Sequence, residues 1–429
     1  MVALLGLAAA LSYAVLAWAS RQSTPLSLSL FYGCLGAASA ACIGAFLLLR
    51  KRGVSVADLR WIAVFAVLLR LIGFLGQPIY EDDFYRYLWD GRSFALTGNP
   101  YGQPPAVSFS DESVPPEFGD ILSRINFPEL PTIYGPACEL VFLISYWISP
   151  AQLWPMKLLF LAADLGLLWI LWKLLGPAAG LVLYAWSPLV IKEIAFTSHT
   201  DVLAAFLLFA GMERMTAKRF SSAAALLGLA VAARFFVILL VPAILWRQRA
   251  RIWAIFAGVL LAVYLPFTLR GSSDAASMMT FASGWEFNSF VFAILGHWLG
   301  GTAGRVACAA LFLAFYFWWF RKYAGTAPIR GDLLLAALFL ISPVVNPWYL
   351  VLLVPFVALH PSPWGITAVS TVLLAYYTAS NLQIPGMGGF DHPWWVRPLE
   401  LVPVLLAAAA GWRVPSALQF KQAPAVPPR

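Results

Sequence analysis

Glu81-Asp82-Asp83-Phe84-Tyr85-Arg86-Tyr87-Leu88-Trp89-Asp90-Gly91 follows directly on an apolar run at 61–76. Three adjacent carboxylates where a hydrophobic helix ends are expensive to keep, since charge near hydrocarbon demands water or a partner. They open a polar stretch, 77–135, that holds nine of the chain's 20 acidic residues. The chemistry is therefore expected in this stretch.

Hydrophobic residues make up 61% of the 429, charged residues only 11%, and the mean hydropathy is +0.79. Water-soluble domains lie far from these values. A spanning helix needs about 20 mostly apolar residues, and about a dozen such runs or half-runs follow one another with short links. The fold class is thus an all-α polytopic membrane protein of about 12–14 transmembrane or partly spanning helices. One transmembrane domain over 1–429 is expected, with juxtamembrane helices inside the large first loop. The +8 net charge reflects loop asymmetry, not a nucleic-acid partner. Cys34, Cys42, Cys138 and Cys308 sit in apolar runs without metal or redox spacing, so they read as buried thiols and no disulfide is expected. The first run carries no charge before Arg21 and flows into a second, which reads as a retained helix rather than a cleaved signal.

Lys and Arg concentrate on cytoplasmic loops. Arg50-Lys51-Arg52 with Arg60 marks one. The first two runs then form a hairpin from a cytoplasmic N-terminus, 61–76 runs outward, and 77–135 is external. Arg214, Lys218 and Arg219 on one side and Arg247, Arg249 and Arg251 on the other bracket a single apolar interval, 220–246. Both groups belong inside. The interval is expected as two short helices meeting near Arg234, with a break that the bilayer tolerates only when buried in protein. The same parity sends 156–172 inward, 181–194 outward and 201–211 inward, and requires either that 136–148 not cross fully or that one of these spans is wrong. Thereafter 252–267 runs outward, 268–304 forms a second external loop, and 305–320 returns. Spans at 332–341, 348–359, 364–380 and 397–411 alternate outward and inward, leaving 414–429 as a cytoplasmic tail.

Five polar segments thus converge on the outer face: 77–135, 198–201, 270–288, 346–349 and 381–395. There is no P-loop, no G-x-G-x-x-G and no C-x-x-C, which removes nucleotide-hydrolysing pumps and most soluble cofactor enzymes. Four scattered histidines give no metal-ligand spacing. External carboxylates beside Tyr and Trp, with cations at membrane depth, suit transfer of a sugar from a lipid-linked phosphate. Such a reaction needs a base for the acceptor hydroxyl and a cation for the departing phosphate. Phosphate leaves without protonation, so one ionised Asp suffices, unlike glycoside hydrolysis, which also needs a carboxylic acid.

Asp83-x-x-Arg86-Tyr87, Asn99-Pro100-Tyr101 and Tyr134-Gly135-Pro136 resemble the membrane-embedded GT-C glycosyltransferases, in particular the bacterial polyprenyl-phosphate-mannose-dependent mannosyltransferases. The similarity continues in Ser187-Pro188, Ser198-His199-Thr200-Asp201, the hairpin from Gly228-Leu229 to Arg234, and Asn346-Pro347-Trp348-Tyr349, covering about 61–355. It implies a GT-C-like bundle in the bacterial cytoplasmic (inner) membrane, with the active site outside. Its partners would be a polyprenyl-phosphate sugar donor (mannose), a glycolipid or glycan acceptor of the cell envelope, and membrane lipids. In that superfamily an acidic residue of the first large external loop is the catalytic base; the spacing places the role on Asp83, with Asp82 second. Arg234 and Arg270 are expected at the donor phosphate. Glu81, Arg86, Tyr87, Tyr134, His199, Asp201, Asn288, Trp348 and Tyr349 are expected along the substrates. No cofactor is expected to be required, no metal ligands are assigned, and the need for a divalent metal is open. Two departures stand out: members commonly carry Lys where Arg234 stands and Asn at Thr200.

Simpler roles compete with these. Glu81 to Asp83 could cap a helix, and Ser198 with Asp201 fits an S-x-x-D capping pattern. Arg86, Asp90 and Arg92 read as ion-paired scaffold, Lys192-Glu193 as a local pair near the membrane surface, and Trp348-Tyr349 as an interfacial belt. A transporter or lipid flippase would also have many spans and rare buried charges, but repeated halves or midplane charges on several helices would be expected. A partner protein of envelope assembly with a decayed site is the third reading.

Overall fold

The computed structural model describes residues 1–379 and 392–411. Most of those residues are helical, and among them the only β-contact is an isolated parallel bridge between Phe287 and Val344. Val2–Ala19, Leu28–Arg52, Trp154–Leu175, Ala250–Thr268 and Gly301–Tyr323 are long and apolar enough to cross a membrane. This is a multi-pass membrane protein. The tail at 414–429 and the segment 381–391 lie outside the described residues.

Local chemistry explains the first three helices. Ser27 accepts from Leu30 N to open Leu28–Arg52, which closes on Arg50, Lys51 and Arg52, cations suited to the negative end of a helix. A capping box of Ser55 and Asp58 starts Val56–Leu75, and Arg52 grips Asp58 through two bonds of 2.7 and 2.9 Å. The predicted basic loop is therefore a tight charged turn. Val56–Leu75 also carries Arg70 in mid-helix, buried in the bundle. Arg70 Nε and Nη2 donate to Asp164 Oδ2 and Oδ1 at 2.6 and 2.9 Å, and Tyr184 OH donates to Asp164 at 2.6 Å. Three helical segments are thereby tied at one point. At the end of Val56–Leu75, Lys157 Nζ donates to the carbonyls of Gly73, Phe74 and Gly76 at 3.2, 3.0 and 2.7 Å. Orphan carbonyls at a helix C-terminus need such donors. Their capture sets where the acidic stretch begins.

Pro136–Ile148 has 13 residues, about 20 Å of helix, short of a ~30 Å hydrocarbon core. Against it lies Asp83–Thr97, at a contact so close that a Cβ on Gly91 would collide with the Phe142 carbonyl. Gly180–Phe196 and Asp201–Thr216 turn by 119° across the break between them, so the second runs back rather than onward. The 220–246 interval breaks where expected: Phe220–Ala233 ends, Arg234 is extended (φ −147°, ψ 110°), and the short turns Phe235–Leu239 and Val241–Ile244 follow.

The 268–304 segment contains the helices Ala275–Gly284 and Val291–Leu299. Two expectations need correction. The segments beyond 330 are not regular long helices. Gly331–Ile341 has 11 residues, about 16 Å, and Pro347–Leu352 with Val354–Leu359 is a 3₁₀ turn followed by a short α-helix. Finally, Lys192 and Glu193 lie in a π-helical turn, Ile191–Phe196, and are 1% and 0% exposed, so they are not a surface pair.

Removing one partner of a buried ion pair leaves an uncompensated charge and costs about 3–5 kcal/mol, whereas replacing both by apolar residues is often neutral. Arg70→Leu should therefore lower the unfolding temperature of the protein in detergent sharply, and Arg70→Leu with Asp164→Leu should recover most of the loss. A double variant no more stable than Arg70→Leu would show that the pair does not hold these helices together.

Candidate active site

Asp82 and Asp83 open the helix Asp83–Thr97, and Glu81 precedes it; all three are half-buried. Asp82 is the N-cap residue and Asp83 lies in the first turn, where carboxylates suit the helix dipole, but no side-chain cap bond is made at this N-terminus. Instead Asn126 Nδ2 donates to Asp82 Oδ1 at 2.7 Å, and Tyr134 OH donates to Asp83 Oδ2 at 3.2 Å. Burial raises all three carboxyls, Asp82 to about 7 with the Asp83 charge as second cause; at Asp83 the Tyr134 bond opposes the shift. One carboxylate oxygen from each lies within 4.8 Å of the others, a spacing that could ligate a divalent cation.

The three acids line a cavity of about 340 Å³. Arg234 and Tyr349 line it as well. Arg234 Nε and Nη2 form a two-pronged bond to Asp201 Oδ1 and Oδ2 at 2.8 and 2.7 Å, and the guanidinium lies 4.7 Å from the Tyr349 ring centre. Asp201 belongs to the helix that follows the first backbone break, and Arg234 is the residue at the second. Among the described residues this is Asp201's use: Thr200 rather than Ser198 is the N-cap, and neither Ser198 nor Asp201 makes the S-x-x-D cap. A Cβ on Gly135 would strike the Ala232 carbonyl, so the glycine lets Tyr134 approach this corner.

Behind the acids, His199 stacks on Trp348 with ring centres 4.2 Å apart and an angle of 9°, and shares a hydrogen bond with Tyr87 OH through Nδ1 at 3.3 Å. Its Nε2 lies 3.4 Å from Glu193 Oε2 and 3.7 Å from Glu81 Oε2. Glu193 accepts from Tyr376 OH at 2.8 Å, and Lys192 Nζ sits 3.4 Å from the Tyr376 ring centre. Trp348 is thus buried against the site, not placed in an interfacial belt.

Arg86 also lines the cavity, though its guanidinium is held by Asp90 at 3.0 Å and by the Leu130 carbonyl at 2.7 Å, the scaffold role. Tyr87, His199 and Asp201 line neither cavity and reach the site through Tyr134, Trp348 and Arg234. Two expected residues are not brought to the site at all. Arg270 is exposed, donates to the Gly98 carbonyl at 3.1 Å, and lines neither cavity. Asn288 is held by Glu400 at 2.9 and 3.1 Å and by His392 at 2.9 Å, and likewise lines neither. Sequence reading missed Asn126, Glu193 and Tyr376, whose partners lie far away in the chain and leave no local signal. A second cavity of about 450 Å³ adjoins the first, sharing Tyr134, Arg234 and Tyr349, with walls that include Phe235, Phe236, Met278, Phe312 and Phe339.

Residues 2–250 match the family described as alpha-(1->6)-mannopyranosyltransferase, N-terminal domain. The chain belongs to this mannosyltransferase family. The match covers more than half of the 429 residues and includes Glu81, Asp82, Asp83, His199, Asp201 and Arg234. No curated protein and no solved structure matches the chain. The protein is therefore a glycosyltransferase that moves mannosyl groups. The helical bundle with broken segments around an acid-lined cavity is consistent with the GT-C type of that family.

A carboxyl raised to about 7 stays protonated well above the ordinary ~3.9 of aspartate. Infrared titration of the mannosyltransferase should show a protonated-carboxyl band that disappears near neutral pH as Asp82 ionises. In Asp82→Asn that component should be missing; an unchanged band would contradict the burial of this site.

Proposed function

We propose that the enzyme transfers mannose from a polyprenyl-phosphate donor to a glycan or glycolipid acceptor on the outer face of the cytoplasmic membrane, with Asp83 as general base. The observation that carries this reading is that a half-buried carboxyl, Asp83, and a half-buried guanidinium, Arg234, line one cavity. The charge of Arg234 is felt at Asp83. The acceptor hydroxyl loses its proton to Asp83 as its oxygen bonds to C1 of the mannosyl group. The bond between C1 and the phosphate oxygen breaks, and polyprenyl phosphate departs with that electron pair. Arg234 meets the growing phosphate charge with the donor capacity left after its two bonds to Asp201. Such charge-assisted bonds are among the strongest available to a side chain.

The phenyl-rich second cavity suits the isoprenoid chain, and Arg234 lines both cavities, as the junction between an apolar tail and a charged head requires. Asp82 and Glu81 set the proton affinity of Asp83; whichever carboxyl ionises first raises its neighbour. If the three carboxylates hold a divalent cation, it would add positive charge for the phosphate. The outer-face assignment rests on Arg50-Lys51-Arg52 and Arg60 marking the cytoplasmic side. Nucleotide sugars are made in the cytoplasm, so an external site takes its donor from lipid. Membership of a mannosyltransferase family favours this reading over a transporter or flippase.

Asp83→Asn keeps the shape and removes the base, so transfer should fall about 10²- to 10⁴-fold, roughly 3–5 kcal/mol, with unchanged membrane insertion. Wild-type turnover in Asp83→Asn would refute the assignment, and loss only in Asp82→Asn would move it by one residue. For the side, cysteines at Ser110 and Ser416 in a background lacking native cysteines give the test. A membrane-impermeant thiol reagent should label position 110 in spheroplasts and position 416 only after lysis. The opposite pattern would overturn both the outer face and the lipid-linked donor.

A further inference from the structure

One wall of the acid-lined cavity is aromatic, and two distant segments build it. Phe127 comes from 77–135 and Trp285 from the segment after Ala275–Gly284, and their ring centres lie 4.2 Å apart. Phe281 also packs on Trp285, at 4.7 Å. The backbone of Phe127 has φ 52°, the left-handed region that a bulky aromatic residue rarely occupies. Such strain persists only where the surroundings impose it, and it clusters at functional sites. Its effect here is to hold a ring that remains 38% exposed in a cavity whose other lining includes carboxylates.

The platform is braced from behind. Arg305 Nη2 and Nε donate to the carbonyls of Trp285 and Ala282 at 2.8 and 3.1 Å. Phe287 N donates to the Pro343 carbonyl at 3.0 Å and its own carbonyl accepts from Val345 N at 2.9 Å. The segment is thereby stitched to the strand of chain that leads to Asn346 and Trp348. Polar groups flank the rings: Asn126, already bonded to Asp82, and Glu286, whose described bonds, from Ser289 and Arg397, both fall on Oε1. Rigid ring faces beside amide and carboxylate groups are what a pyranose requires, since one face of its ring is C–H and its edge is hydroxyl.

We propose that Phe127 and Trp285 form the subsite for the acceptor's sugar ring, flanked by Asn126 and Glu286. The proposal rests on the reading of this cavity as the transfer site and adds which substrate lies where. All four residues line the cavity that contains Asp83 and none lines the apolar one, whereas Arg234 lines both. A lipid-anchored donor enters from the apolar side with its phosphate at Arg234. The ring that brings the hydroxyl to Asp83 then occupies the platform, in the part of the site that the apolar cavity does not share.

Binding of a synthetic alkyl alpha-(1->6)-linked mannose disaccharide to the protein in lipid nanodiscs tests this without requiring turnover. Wild type and Asp83→Asn should bind it alike, while Trp285→Ala should weaken binding roughly five- to tenfold. Trp285→Phe, which keeps a stacking face, should restore most of the loss. In turnover with polyprenyl-phosphate mannose, Trp285→Ala should raise the acceptor KM and leave kcat and the donor KM within twofold. Equal disaccharide affinity in wild type and Trp285→Ala, or a parallel rise of both KM values, overturns the subsite. A wild type that binds the disaccharide through Trp285 yet transfers no mannose overturns the transfer chemistry instead and leaves the subsite standing.

Discussion

The ion pair between Arg234 and Asp201 joins the two places where the helical backbone gives way. An interrupted helix inside a bilayer leaves carbonyls and amides without partners, and it survives only when protein or a water-filled cavity surrounds it. Here the break after Ala233 and the break before Asp201 face each other, and each contributes one charge to a two-pronged bond. A guanidinium at this depth demands a carboxylate, and the carboxylate demands the guanidinium. The cavity exists because neither helix continues through the space that the pair commands. Asp83, Tyr134 and Tyr349 then take their positions around it.

The same rule governs the other buried charges. Arg70 is answered by Asp164, Lys157 by three carbonyls at the end of Val56–Leu75, and Lys192 by Glu193 and the Tyr376 ring. Lys157 matters most for the site, since it fixes the point from which Glu81 to Asp83 emerge. These contacts are scaffold, whereas Glu81, Asp82 and Asp83 border open space and are left with raised proton affinity.

Much of the fold was legible because hydropathy reports burial in lipid directly, and so was the family, through the spacing around Asp83 and at 198–201. Arg234 stood out for a physical reason: a lone cation in an apolar interval needs a special environment. What stayed hidden was geometry. Hydropathy cannot distinguish a straight span from the 3₁₀ and π-helical turns at 347–352 and 191–196, so the last segments were read as regular. Arg270 looked like Arg234 in composition, yet its guanidinium serves a backbone carbonyl at the end of another helix. Glu193 looked like half of a surface pair because its neighbour in sequence is a lysine. The Tyr376 hydroxyl that holds it comes from 183 residues away. The aromatic wall of Phe127 and Trp285 likewise arises from two segments that no local pattern connects.

The most direct measurement is a cryo-EM structure of the enzyme in nanodiscs with a polyprenyl phosphonate analogue of the mannosyl donor, whose C1 cannot be released. The expected density places the phosphonate against Arg234, the isoprenoid chain among Phe236, Phe312 and Phe339, and C1 facing Asp83 across a gap open to an acceptor. A phosphonate remote from Arg234, with its chain outside the apolar cavity, would contradict the assignment of the site.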